Sequence, residues 1–134
     1  MQVRVLVNPG FLWAGPDESV TELARRMRAE RVGALPVRDG DRLLGIVTEQ
    51  DVVQAVADGV AGTALARERM SRDPALVSPT EDCAAAALRM LELGVRHLLV
   101  MELGAVIGVV SARDLLMLVA WPDGVPPVAP LAAP

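Results

Sequence analysis

The sequence has no lysine and no tyrosine, and 134 residues supply only one phenylalanine, two tryptophans, one cysteine and one histidine. Each shortage removes a class of protein. A single cysteine makes no intramolecular disulfide framework, so the cytoplasm is the expected compartment. One cysteine and one histidine make no His/Cys metal cluster. So few aromatics leave no platform for stacking RNA bases, and a formal charge of −4 opposes nucleic acid as the main partner. No apolar run reaches about 18 residues, so no membrane-spanning helix is expected. The opening apolar run ends at Asn8-Pro9-Gly10; it is too short for a signal-peptide core and lacks a small-residue cleavage site. No Gly-x-Ser-x-Gly motif or P-loop is present, and an enzyme is not expected. All 13 basic residues are arginines, a bias that reads as base composition rather than function.

What is abundant is aliphatic. Hydrophobic residues make up 52% of the chain, so the core must be built from Val, Leu, Ile, Ala and Met. The length suits one compact unit, or two small lobes that fold against each other.

The chain also repeats itself. Shifted by 63 residues, residues 14–57 align with 77–120 without a gap, and thirteen pairs are identical. They include Pro16/Pro79, Glu18/Glu81, Arg26/Arg89, Met27/Met90, Gly45/Gly108 and Asp51/Asp114. A paired proline, glycine and aspartate in one register mark a duplication. Two copies fit a pseudo-twofold pair of half-domains better than a solenoid. The expected division is 1–60, 61–121 and a disordered Pro/Ala-rich tail over 122–134.

Each copy reads as strand, helix, strand, strand, helix. Residues 3–7 form a lead-in strand or connector whose counterpart is 66–70. Extended segments 11–14 and 75–77 lead to Gly15-Pro16 and Ser78-Pro79. Ser19-Val20-Thr21-Glu22 has capping-box form, and Asp82 takes the same cap position in the second copy. Val20, Leu23, Ala24, Met27 and Arg31 fall at helical spacing, as do Cys83, Ala86, Ala87, Met90 and Leu91. The methionines and Cys83 read as core. The alanines at 84–87 would allow a close helix neighbour. Gly33 and Gly94 are the expected C-caps. Hairpins follow at Asp39-Gly40-Asp41 and Glu102-Leu103-Gly104. Residues 59–64 read as a flexible connector.

The most informative stretch closes each hairpin: Gly45-Ile46-Val47-Thr48-Glu49-Gln50-Asp51, and Gly108-Val109-Val110-Ser111-Ala112-Arg113-Asp114. A hydroxyl and a carboxylate at a strand-to-helix corner can face one small ligand, beside the N–H groups of the helix start. The same Ser/Thr-x-x-Asp pattern is also a helix capping box, and one carboxylate can serve both roles.

An ungapped duplication of a βαββα unit with this closing motif resembles a tandem cystathionine-β-synthase (CBS) domain pair, the Bateman module, over residues 3–120. Val77-Ser78-Pro79 and Gly94-Val95-Arg96-His97-Leu98-Leu99-Val100 add to the likeness. The resemblance implies an α+β, sandwich-like fold of two repeats around a pseudo-twofold axis. It implies clefts that bind AMP, ADP, ATP, S-adenosylmethionine or NAD(H), with no required cofactor, and it implies a homodimer. The motif aspartates, Asp51 and Asp114, would take the ribose hydroxyls, and Thr48 and Ser111 would meet phosphate. Arg96, His97 and Arg113 are the expected further phosphate contacts. The first copy has Gly33, Ala34 and Gln50 there, with Glu49 opposing a polyphosphate, so the better site is expected around Ser111 and Asp114. Against that, Arg96 and His97 read equally as a solvated strand edge, and Arg113 as a partner of Glu92 or Asp114. Ala14, Val77, Leu35 and Pro36 are the expected apolar walls for adenine. Trp13 reads as a core or dimer-interface residue rather than a base stack. The implied function is a stand-alone regulatory module that binds an adenosyl nucleotide and signals to a partner protein. The alternative is a structural dimerisation module with no nucleotide.

Overall fold

The structure is a computed structural model and describes residues 1–123; the expected tail lies, beyond Asp123, outside the described residues. The chain forms two compact units, Gly10–Ala75 and a second built from Met1–Pro9 together with the residues from Leu76 onward. These units cut the chain differently from the expected 1–60 and 61–121. The leading segment of each repeat packs on the other repeat's unit.

In the unit Gly10–Ala75, Ser19 caps helix α1 (Val20–Glu30) by accepting from the Glu22 amide at 3.2 Å. Glu22 does not complete the reciprocal box; its carboxylate pairs with Arg25 instead. Strands β1 (Ala34–Asp39) and β2 (Arg42–Thr48) form an antiparallel hairpin, and Ala14 bridges in parallel to Val37. Helix α2 (Glu49–Ala57) follows β2 directly. Ala14, Leu23, Met27, Leu35, Val37, Val47 and Ala66 form the buried cluster. Each fully buried Leu or Val contributes about 1.5–3 kcal/mol by leaving water.

Two expectations change here. The helix ends at Arg31, held left-handed at φ 57, rather than at Gly33. Residues 59–64 are not a flexible connector. Ala64 is buried with Val20 and Ala55, the Val20 amide donates to the Ala64 carbonyl at 2.9 Å, and Thr21 Oγ1 donates to the Ala61 carbonyl at 2.9 Å. Helix α3 (Ala66–Arg69) then leads to Ser71, whose backbone exchanges two hydrogen bonds with Ile46.

The other unit repeats the plan. Strand β3 (Leu76–Val77) runs parallel to β4 (His97–Glu102), which pairs antiparallel with β5 (Ala105–Ser111). Helix α4 (Cys83–Leu93) is capped by Asp82 and ends at Gly94 with φ 67. Helix α5 (Ala112–Ala120) closes the unit. The hairpin registers slip at corresponding places, between Val37 and Arg38 and between Val100 and Met101. Residues 3–6, expected as a lead-in strand or connector, form a 3-10 helix, with Val3 fully buried and its amide donating to the Glu81 carbonyl at 2.8 Å.

The paired glycines have a packing reason. A β-carbon on Gly45 would lie 2.2 Å from the Ser71 carbonyl oxygen, and one on Gly108 would lie 3.0 Å from Val7 Cγ1. Met70, which also crowds Gly45, is Val7's counterpart at the repeat offset. Each glycine thus opens its strand to the leading segment that crosses it.

Candidate ligand-binding corners

Each strand β2 and β5 ends on a hydroxyl residue that becomes the N-cap of the next helix. Extended backbone at Thr48 and Ser111 aims the side chain along the helix start, and the aspartate three positions on reaches back. The amides of Thr48 and Ser111 each donate to Oδ2 of Asp51 and Asp114 at 2.8 Å. The Asp114 amide donates to Ser111 Oγ at 3.1 Å, and Thr48 Oγ1 donates to Asp51 Oδ2 at 3.2 Å. The first helical amides, Glu49 and Ala112, donate to the carbonyls of Gly33 and Arg96 at 3.0 and 2.8 Å.

Capping therefore consumes most of what was expected to be open. At the second corner, three of the four orphan donors of the helix start are used internally. The Asp114 Oδ1 atom makes no protein hydrogen bond among the described residues, and neither does the Arg113 amide. Ser111 accepts one bond through Oγ and keeps its own proton to give.

The cations expected beside the second corner are adjacent to it. His97 pairs with Ser111 across the sheet, and Arg96 precedes it. Arg96 and Arg113 are exposed and make no ion pair among the described residues, so Arg113 binds neither Glu92 nor Asp114. His97 is half-buried and has a partner within the protein. At the first corner Ala34 faces Thr48, and Glu49 and Gln50 are exposed.

The expected apolar walls are deeper than the corners. Ala14 and Leu35 belong to the buried cluster, and Pro36 and Val77 are buried too. Thr48, Asp51, Ala14, Leu35 and Pro36 lie in one unit, and Ser111, Asp114, Arg113, Arg96, His97 and Val77 in the other. Cys83 is buried, and desolvation pushes its thiol pKa up, which suits a core residue. Trp13 is half-buried rather than core. Its ring lies 5.2 Å from Phe11 and carries the Arg38 guanidinium at 4.5 Å, beside an open hollow reaching Gly15, Gly40 and Asp41.

One duplicated device was not anticipated. Arg26 binds both Glu18 carboxylate oxygens at 2.8 Å and the Trp13 carbonyl at 2.6 Å. Arg89 likewise holds Glu81, through one carboxylate oxygen, and the Leu76 carbonyl. Each glutamate also accepts a turn amide, from Gly15 or Ser78. The clamp fixes the proline turn that leads into the helix. Its trace in the sequence is the Glu/Arg pair eight residues apart in both copies.

The family model of the CBS domain matches twice, over residues 3–58 and 66–120. The chain belongs to the CBS-domain family. An inosine-5′-monophosphate dehydrogenase of Korarchaeum cryptofilum is 37% identical over 74% of this chain and 20% of its own. Hypoxic response protein 1 of Mycobacterium tuberculosis is 29% identical over 84% of this chain and 80% of its own. The first three curated relatives are matched over only 20%, 42% and 54% of their lengths. A solved CBS-domain structure superposes with a TM-score of 0.84 at 30% identity, covering 90% of this chain and 98% of that one. A CBS-domain pair solved with 5′-methylthioadenosine and S-adenosyl-L-methionine has the same fold, with a TM-score of 0.82 at 22% identity over 90% and 96% of the two chains. The α+β fold of two CBS repeats is thus established. Among the described residues no helix is long and apolar enough to cross a membrane, and no group of three His, Cys, Asp or Glu side chains is placed to hold a metal ion.

Proposed function

We propose that this CBS pair is a non-catalytic regulatory module of the cytoplasm, acting as a homodimer, that binds an adenosyl nucleotide and passes its occupancy to a partner protein. The observation that carries this reading is the second corner. Asp114 spends Oδ2 on the Ser111 amide and keeps Oδ1 as an acceptor. A carboxylate oxygen is well suited to a ribose hydroxyl. The Ser111 hydroxyl, the Arg113 amide and the exposed Arg96 and Arg113 guanidiniums supply donors and charge for a phosphate, and His97 stands beside them. The adenosyl ligands of the solved pair described above support the ligand class. The first corner, Thr48 and Asp51, lacks cations and carries Glu49, so it is the weaker or adenosine-only site. Ala14, Leu35 and Pro36 in the first unit, and Val77 in the second, act in this reading as buried support within their own units rather than as open walls.

A thermal-shift panel of AMP, ADP, ATP, S-adenosylmethionine and NADH tests the ligand class. A ligand at about 100 times its dissociation constant stabilises the fold by about 2.7 kcal/mol, a shift of several degrees. A larger shift with the phosphate-bearing members than with S-adenosylmethionine, which has no phosphate, is the expected result. Flat curves across the panel would leave a structural dimerisation module as the reading.

A further inference from the structure

The first repeat closes the seam between its two helices with the chain that follows α2. The Val60 amide donates to the Ala55 carbonyl at 3.0 Å, and Val60 and Ala61 pack on Val20, Ala55 and Ala64. The amide and the hydroxyl of Thr21 both donate to the Ala61 carbonyl, at 3.0 and 2.9 Å. The second repeat has half of this scheme. Met1, the counterpart of Ala64, accepts the amide of Cys83, the counterpart of Val20, at 2.8 Å. The other half is open. Ala84, the counterpart of Thr21, is exposed, and its amide turns to Asp82. Leu118, the counterpart of fully buried Ala55, is only half-buried. Farther along the same face, Leu88 is 55% exposed, Leu91 80% and Leu116 67%. Leu91, grouped by its spacing with core residues, has no cover within the described residues. The counterpart of Ala61 is Gly124, the first residue beyond those described.

The sequence from that residue on suits a buried role. It reads Gly124-Val125-Pro126-Pro127-Val128-Ala129-Pro130-Leu131-Ala132-Ala133-Pro134, with no charged and no hydrogen-bonding side chain. A solvated linker is rich in both. Val125, Val128 and Leu131 recur at every third position among the prolines. A polyproline II chain has three residues per turn, so residues spaced in this way share one side of it. From Val125 to Leu131 such a chain extends about 19 Å, close to the length of about 17 Å that α4 has.

We propose that residues 124–134 are a strap that docks along the α4–α5 seam of their own chain, with Val125, Val128 and Leu131 as anchors against Leu118, Leu88 and Leu91. The strap is a contact within one chain and rests on neither the nucleotide nor the homodimer reading above. It begins where α5 ends, beside the seam it covers, so its effective concentration there is high. The prolines limit the chain before docking and lower the entropy cost of holding it extended. The first repeat needs only a short return, because its helix presents Glu22, Arg25, Arg28 and Glu30 where α4 presents Ala85, Leu88, Leu91 and Leu93. The second repeat keeps that surface apolar and is followed by a longer apolar segment to match.

The test uses the full chain and two measurements. The first compares the fluorescence of an anilinonaphthalene sulfonate dye, which reports exposed apolar surface, on wild type and on the combined variant Val125→Asp, Val128→Asp and Leu131→Asp. The variant is expected to be several-fold brighter with an unchanged far-UV spectrum. The second measures disulfide formation under oxidised glutathione in a Cys83→Ala background. Leu88→Cys with Val128→Cys is expected to link within one chain, at a rate independent of protein concentration. Adding Val125→Asp and Leu131→Asp is expected to slow that rate several-fold, which separates a docked strap from a merely tethered one. Equal brightness of the two proteins overturns the proposal, and so does a linking rate that the aspartates leave unchanged. Disulfides that form only between chains also overturn it and assign the cover to a second copy.

Discussion

Gly45 and Gly108 are the same residue in the same motif, but their neighbours differ in rigidity. The atom that a β-carbon on Gly45 would strike is a backbone carbonyl, locked in two hydrogen bonds between Ser71 and Ile46. At Gly108 it is a methyl of the half-buried Val7 side chain, which can turn away. Gly45→Ala is therefore expected to destabilise by about 2–3 kcal/mol and Gly108→Ala by under about 1 kcal/mol. Urea unfolding of the two variants checks this, and equal losses would contradict it. The corner residues were legible in the sequence because hydroxyl, aspartate and spacing recur twice. How their atoms are shared was not legible. The capping-box reading and the ligand reading use the same letters, and only geometry shows Oδ2 spent and Oδ1 left over. The depth of Ala14, Leu35, Pro36 and Val77 was equally invisible, since an apolar residue looks alike in a core and in a cleft wall.

Among the elements, the helices and hairpins followed their periodicity and turn residues, and the misreadings fall at their ends. Helix α1 stops at Arg31 in the left-handed region, although its counterpart in α4 is Gly94. Nothing in an arginine announces a positive φ, whereas Gly33, two residues on, did look like a cap. A β-carbon in that conformation costs about 1–2 kcal/mol, partly offset by the greater freedom of glycine when unfolded. Arg31→Gly is thus expected to raise stability by about 0.5–1 kcal/mol, seen as a higher melting temperature. A lower one would mean that Arg31 makes a contact outweighing its strain. The connector 59–64 was misread for a related reason. Its small residues suggested flexibility, but they fit against the start of α1 and satisfy its amides.

For the whole molecule, the repeat predicted two equivalent halves, and the structure delivers them with their leading segments exchanged. Residues 3–6 pack with the second repeat, and Ala66, Met70 and Ser71 pack with the first. Periodicity carries no sign of which repeat a short lead-in will join, because a segment of five residues is too short to show which face it buries or against what. The exchange predicts how the chain can be cut. A fragment covering Gly10–Ala75 retains every member of its buried cluster, whereas one covering residues 1–60 loses Ala66 and Met70. Both are of marginal size. The first is expected to show the greater helical content and amide-exchange protection, and a better-folded 1–60 fragment would contradict the division.

The central claim is that the Ser111–Asp114 corner receives a nucleotide, and one calorimetric titration tests it most directly. AMP is titrated into wild type and into Asp114→Asn. The asparagine can still accept the Ser111 amide bond through its carbonyl oxygen but presents a donor where the carboxylate presented an acceptor. The account predicts saturable binding to wild type, and at least about a tenfold weaker affinity, or about 1.4 kcal/mol, in a variant whose unliganded melting temperature is nearly unchanged. Equal affinity in the two proteins, or no binding to wild type, would contradict it.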